Sequence, residues 1–171
     1  MKALFVVDML KDFLNKDGVL YCGDPSREII PLVKEKIEEF HKSGDLVVFI
    51  CDSHDKDDLE FKKFLEHCVT NTEGAEIIDE LPVSDKDIII KKKRYSAFYG
   101  TDLDRVLKGY KISEVHVQGV CTSICVMDTV GDLRNRDLPV IVYEKGVADF
   151  DQKAHEFALR RMEKIYGAKI L

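Results

Sequence analysis

The chain has 171 residues, 45% of them hydrophobic and 34% charged, a length and balance that suit one buried core and exclude an intrinsically disordered chain. Its net charge of -6 argues against a nucleic-acid binder, whose contact face is usually basic. No apolar run is long enough to span a bilayer, and the opening MKALFVVDM lacks a long apolar signal core and a cleavage site. Five cysteines, an odd number with no disulfide framework, fit a reducing cytoplasm.

Short β-rich runs alternate with longer helical patterns. The first strand is expected at Ala3 to Asp8, followed by a helix at Ile29 to Lys42 with Pro31 near its start and Gly44 past its end. A second strand, Leu46 to Cys51, leads into a long charged stretch, Asp52 to Glu80, read as a functional loop because its ligand-type residues sit at both ends. A third strand at Asp87 to Lys92, a helix at Thr101 to Lys108 and a fourth strand at Glu114 to Gly119 come next. A helix at Ser123 to Arg136, a strand at Pro139 to Tyr143, a helix at Asp151 to Tyr166 and a last strand at Ala168 to Leu171 complete the chain. Most strand runs are continuously apolar, the pattern of strands covered on both faces. The expectation is one α/β domain over residues 1–171, with a doubly wound, mainly parallel six-stranded sheet and helices on both faces.

Ligands of such sheets bind beyond the carboxyl ends of the strands. That rim would collect Asp8, Asp52 with His54, Lys92, and the turn from Gly119 to Cys125. Cys125 falls in the first turn of a helix, where free backbone N–H groups and the positive dipole end favour a thiolate and can bind an oxyanion. A small buried hydrophobe is the equal alternative. Asp8 closes an apolar run; it reads as a general base or as a loop anchor. Lys92 reads as a buried counter-cation or as one of several surface lysines, with Lys91 and Lys93 leaving the register open. Asp52, His54 and the distant His67 form a weak metal-ligand pattern. His41, His116 and His155 lie within helix and strand patterns and read as structural.

Six ordered motifs carry a resemblance that runs nearly end to end. They are Val7-Asp8-Met9-Leu10-Lys11-Asp12-Phe13, Asp52-Ser53-His54, the segment from His67 to Glu76, Lys92-Lys93-Arg94-Tyr95-Ser96-Ala97-Phe98, Gly100-Thr101-Asp102-Leu103, and the turn from Gly119 to Val126. Together they resemble the isochorismatase-like cysteine hydrolases, in particular the nicotinamidase/pyrazinamidase branch. The resemblance implies a triad of Asp8 as base, Lys92 and the nucleophile Cys125, and selects Lys92 over its neighbours. It also implies a cis peptide between Val120 and Cys121, with N–H groups of Cys121 and Cys125 facing the oxyanion. Further implied are one divalent ion on Asp52, His54 and His67, with zinc first and manganese or iron also suited, and Phe13 as a pocket wall.

The chain departs from the pattern in several places. Leu65-Glu66 precede the His-Cys pair without a proline, Asn71 stands for a glycine, Cys121 for a common alanine, and there is no tryptophan. The function implied is cleavage of a small amide, nicotinamide to nicotinate and ammonia, through a Cys thioester. The alternatives are a sister amidase acting on a carbamoyl or ureido compound, and a thiol redox or metal-binding protein using Cys121 and Cys125. The expected partners are a small-molecule amide and further copies of the chain in a homo-oligomer.

Overall fold

A computed structural model describes all residues, 1–171. The strands are β1 (Lys2–Val7), β2 (Leu46–Asp52), β3 (Ile88–Lys92), β4 (Glu114–Val120), β5 (Val140–Ala148) and β6 (Lys169–Ile170). They form one sheet in the order β3-β2-β1-β4-β5-β6, and every neighbouring pair is parallel. The helices are α1 (Lys11–Leu14), α2 (Asp24–Glu28), α3 (Ile30–Ser43), α4 (Leu103–Gly109), α5 (Met127–Arg134) and α6 (Gln152–Lys164).

The continuous apolar runs follow from burial on both faces. Along β1, Leu4 and Val6 pack toward Val33, Ile37 and Phe40 of α3. The alternate residues Ala3, Phe5 and Val7 pack toward Leu107 of α4, Leu133 of α5 and Met162 of α6. Each side chain buried this way contributes about 1.5–3 kcal/mol for the larger residues. α3 starts with Pro31 in its first turn and stops at Gly44, whose φ of 74° places the left-handed C-cap that a side chain would disfavour.

Strand order runs outward in both directions from the β1/β4 pair, which is the topological switch point where a parallel sheet opens a crevice. The switch needs a close approach of the two strands. Gly119 of β4 has φ of 118°, and a Cβ there would lie 2.0 Å from the Val7 carbonyl oxygen.

Four elements differ from the sequence expectation. The predicted helix at Ser123 to Arg136 opens instead as a wide π-type turn over Thr122–Val126, and only then becomes α5. β5 continues past Tyr143 through exposed Glu144 and Lys145 to the buried Val147 and Ala148, with a register irregularity against β4 between Val117 and Gly119. α1 and α2, of four and five residues, are too short to show a hydrophobic period. No helix is long and apolar enough to cross a membrane.

Candidate active site

β1 ends at Val7, and the next residue, Asp8, turns with φ of 50° into the crevice. Its Oδ1 accepts a hydrogen bond from the Asp52 N–H at 2.9 Å, so the end of β2 fixes the carboxylate. Asp52 and Lys92 are register partners on β2 and β3, and their side chains form an ion pair. Lys92 Nζ also stands 2.9 Å from Asp8 Oδ2 and donates to Cys125 Sγ at 3.4 Å. The ligand-type atoms of Asp8, Asp52 and Cys125 all lie within 4.8 Å of one another. Lys92 is 1% exposed, whereas Lys91 is exposed and Lys93 pairs with Asp55 at the surface. The structure therefore resolves the three-lysine register in favour of Lys92, because only its side chain points inward.

Burial sets the electrostatics. It raises the Asp8 carboxyl to about 6; the like charge of Asp52 adds to the rise, and Lys92 opposes it. Burial pulls the other way on Lys92, yet the attraction of Asp52 and Asp8 holds its ammonium well above the ordinary lysine range. The Cys125 thiol is pushed well above the ordinary cysteine value by burial, with Lys92 opposing. This corrects the expectation of a helix-activated thiolate. Cys125 sits in the buried π-type turn just before α5, beside the Asp8 carboxylate and the Lys92 ammonium.

The turn carrying Cys125 follows a cis peptide between Val120 and Cys121. It is held from the β5–α6 junction, where Asp149 Oδ2 accepts from the Ser123 N–H at 2.8 Å, and from α6, whose His155 Nδ1 meets Thr122 Oγ1 at 2.8 Å.

Beside Asp8, Lys92 and Cys125 lies a second cluster. One ligand atom each from Asp52, His54 and His67 falls within 4.8 Å of the others. His54 Nδ1 is 3.0 Å from Asp58 Oδ2, and His67 Nδ1 is 2.7 Å from the Leu65 carbonyl oxygen. With both Nδ1 atoms engaged, the Nε2 atoms remain for a ligand. His54 Nε2 is buried without a hydrogen-bond partner and stands 3.7 Å from Asp52 Oδ2. An orphaned imidazole nitrogen, two oriented histidines and a carboxylate fit a divalent cation of the zinc type. The loop is anchored by Asp12, whose Oδ2 accepts from the Cys68 N–H at 2.7 Å. That bond gives the second aspartate of the first motif a structural task.

Above both clusters opens a cavity of about 360 Å³. Asp8, Asp52, His67 and Cys125 reach it; Phe13, Leu20, Tyr21, Phe64, Ile124 and Phe150 make its walls largely apolar. Phe13 stands in this wall with its ring 5.5 Å from that of His67. Sequence reading placed Glu60 in the charged functional loop but gave it no role of its own; it is buried, lines the cavity and lies 3.7 Å from Arg94. That reading missed Cys22, whose Sγ is 3.3 Å from that of Cys121. His41, His116 and His155 stand outside the cavity lining and bond to Asp87, to Tyr143 with Glu114, and to Thr122.

These features define a class: a parallel α/β protein that presents a cysteine, a carboxylate and a lysine at the rim of its switch point. The Isochorismatase domain family model matches residues 2–171, and the chain belongs to this family. Among solved structures, it is similar to the nicotinamidase/pyrazinamidase PncA of Bacillus subtilis (TM-score 0.94, 36% identity, 99% of this chain and 98% of that one). It is also similar to the pyrazinamidase of Pyrococcus horikoshii in complex with zinc (TM-score 0.93, 33% identity, 99% and 98%). A third is the N-carbamoylsarcosine amidase of Thermoplasma acidophilum (TM-score 0.89, 34% identity, 99% and 94%).

Proposed function

We propose that the protein is a zinc-dependent cysteine amidohydrolase that converts nicotinamide to nicotinate and ammonia. The observation that carries the reading is Lys92 Nζ placed between Asp8 Oδ2, at 2.9 Å, and Cys125 Sγ, at 3.4 Å, below the cavity.

Asp8 accepts the Cys125 proton as sulfur attacks the amide carbon, with Lys92 steadying the negative charge that passes between them. Backbone N–H groups of Cys121 and Cys125 donate to the oxyanion. Asp8 then returns the proton to the leaving nitrogen, ammonia departs, and water, deprotonated by Asp8, hydrolyses the thioester. Asp52, His54 and His67 would hold the metal ion, which supplies a Lewis acid for a heteroatom of the substrate ring.

A carbamoyl substrate is the second reading, motivated by the similarity to the Thermoplasma amidase. The cavity favours the first. Its lining contains Asp8, Asp52 and Glu60 but no lysine or arginine, and its walls are aromatic. A planar aromatic amide fills a space with aromatic walls better than a small, flexible ureido acid does. The test is ammonia release by the purified protein with zinc supplied, using nicotinamide, pyrazinamide and N-carbamoylsarcosine. Turnover of the two aromatic amides, abolished by Cys125→Ala, is the expected result. Turnover of the carbamoyl compound alone would overturn the assignment.

A further inference from the structure

Cys22 and Cys121 are 99 positions apart in sequence, yet their sulfurs lie 3.3 Å apart in the wall of the cavity. Neither has a part in the proposed chemistry through its side chain. Cys22 follows the loop after α1, and its backbone N–H bonds to the Phe13 carbonyl oxygen at 2.9 Å, so the loop is fixed against the rim. Cys121 immediately precedes the turn that carries Cys125. Its side chain is partly exposed toward the cavity, whereas Cys22 is buried.

We infer that Cys22 and Cys121 form a reversible dithiol–disulfide site, oxidised by a hydroperoxide that enters the cavity, and that the bridge switches the enzyme off. Cys121 sulfur attacks a peroxide oxygen, breaking the O–O bond; it becomes a sulfenic acid, and water or an alcohol leaves. Cys22 sulfur then attacks Cys121 sulfur, a second water departs with the Cys22 proton, and the S–S bond is made. Two thiols lose two electrons and the peroxide gains them. A small dithiol reverses the reaction by exchange.

A disulfide requires about 2.05 Å between sulfurs, so closure shortens the 3.3 Å gap by more than an ångström, and whatever side-chain rotation does not take up shifts the two segments. The segment that moves on the Cys121 side supplies an oxyanion donor under the proposed function, and displacements of about 1 Å in such positions cost about 10²-fold in rate. The bond to Cys22, together with burial, holds the Cys121 thiol well above its ordinary pKa. The pair therefore stays reduced during brief exposure and oxidises slowly.

The site itself is independent of the amidase reading; only its effect on turnover rests on it. The bridge is tested first in Cys125→Ala, which removes the other thiol of the same tryptic peptide. After prolonged hydrogen peroxide and non-reducing digestion, mass spectrometry should show peptide 17–27 joined to peptide 112–134, and dithiothreitol should release them. Free or separately oxidised thiols at both positions would overturn the inference. In the native sequence, the same oxidation should lower amide turnover about tenfold or more, restored by dithiothreitol. Cys22→Ala should lose the restorable part. A bridge that forms without changing turnover would refute the switch. A bridge in a protein that hydrolyses no amide at all would uphold the dithiol site and reject the amidase reading.

Discussion

Asp52 serves two clusters at once: its side chain is ion-paired to Lys92 on one side, and its Oδ2 faces His54 Nε2 at 3.7 Å on the other. Asp52 is 5% exposed, so it joins the Asp52, His54 and His67 group to the Asp8, Lys92 and Cys125 group through a region with little water. Lys92 is the cation that makes this arrangement possible, since it lies between two buried carboxylates and a thiol.

Replacing Lys92 by methionine keeps the length of the side chain and removes the charge. Asp8 and Asp52 would then face each other without a counter-ion, and breaking a buried pair in this manner costs about 3–5 kcal/mol. Denaturant unfolding of the metal-free protein should register that loss, and amide turnover should fall at least about 10³-fold. Unchanged stability would mean that Lys92 does not neutralise these carboxylates.

The pH dependence follows from Asp8. Its carboxyl is raised to about 6 by burial and by Asp52, against the opposing pull of Lys92. A raised value means that the base becomes protonated at a higher pH than an ordinary aspartate would. Turnover is therefore present above the midpoint and lost as pH falls through it, with kcat/KM dropping about tenfold per unit on the acid limb. A cation on Asp52 cancels part of the like charge, so with zinc bound the midpoint should lie between the ordinary aspartate value of 3.8 and about 6. The check is a kcat/KM profile with zinc held constant; a profile flat through this range would remove Asp8 from the role of base.

The sheet was legible because burial on both faces writes continuous apolar runs such as Leu4 to Val7, and the rim followed from where those runs stop. Asp8, Asp52 and Lys92 were visible as charged residues closing apolar strands. What singled out Lys92 from Lys91 and Lys93 was the motif resemblance, and burial in the structure agrees with it. The π-type turn was not legible, since its residues Thr122 to Val126 carry ordinary helical signals and only the adjoining strand and the α6 contacts impose the wider turn. The Cys22–Cys121 contact and the place of Glu60 in the cavity are long-range products of packing. Spacing along the chain contains no trace of either.

Gly119 tests the close approach of β1 and β4. With φ of 118° and a would-be Cβ 2.0 Å from the Val7 carbonyl oxygen, Gly119→Ala cannot be absorbed by a side-chain rotation. The strand would have to separate from β1 just where Asp8 begins, disturbing paired backbone as well as the Asp8, Lys92 and Cys125 cluster. The expected cost exceeds about 3 kcal/mol, seen as a lowered Tm or loss of folded protein. By contrast Gly109→Ala, with nothing within 4 Å of the added Cβ, should leave Tm close to the parent. Equal stability of the two variants would contradict the geometry at the switch point.

Asp58 bonds to the Asp52, His54 and His67 group without belonging to it. Its Oδ2 lies 3.0 Å from His54 Nδ1, and Arg94 holds the same carboxylate at 3.0 and 3.1 Å. The carboxylate is drawn below the ordinary range: burial would raise it, but hydrogen bonds from the Glu60 N–H, His54 and Arg94 outweigh that effect. It therefore stays ionised and keeps the His54 proton on Nδ1, leaving Nε2 free toward Asp52. Asp58→Ala should let the ring rotate and change tautomer, weakening zinc affinity about 10–100-fold. A competition titration against a chromophoric chelator measures this directly, with no need for a substrate. If His54 is a ligand, added zinc should also restore much of the lost amide turnover, whereas Cys125→Ala should not respond to zinc. Zinc affinity equal to the parent's would show that the Asp58–His54 bond does not orient a metal-binding nitrogen.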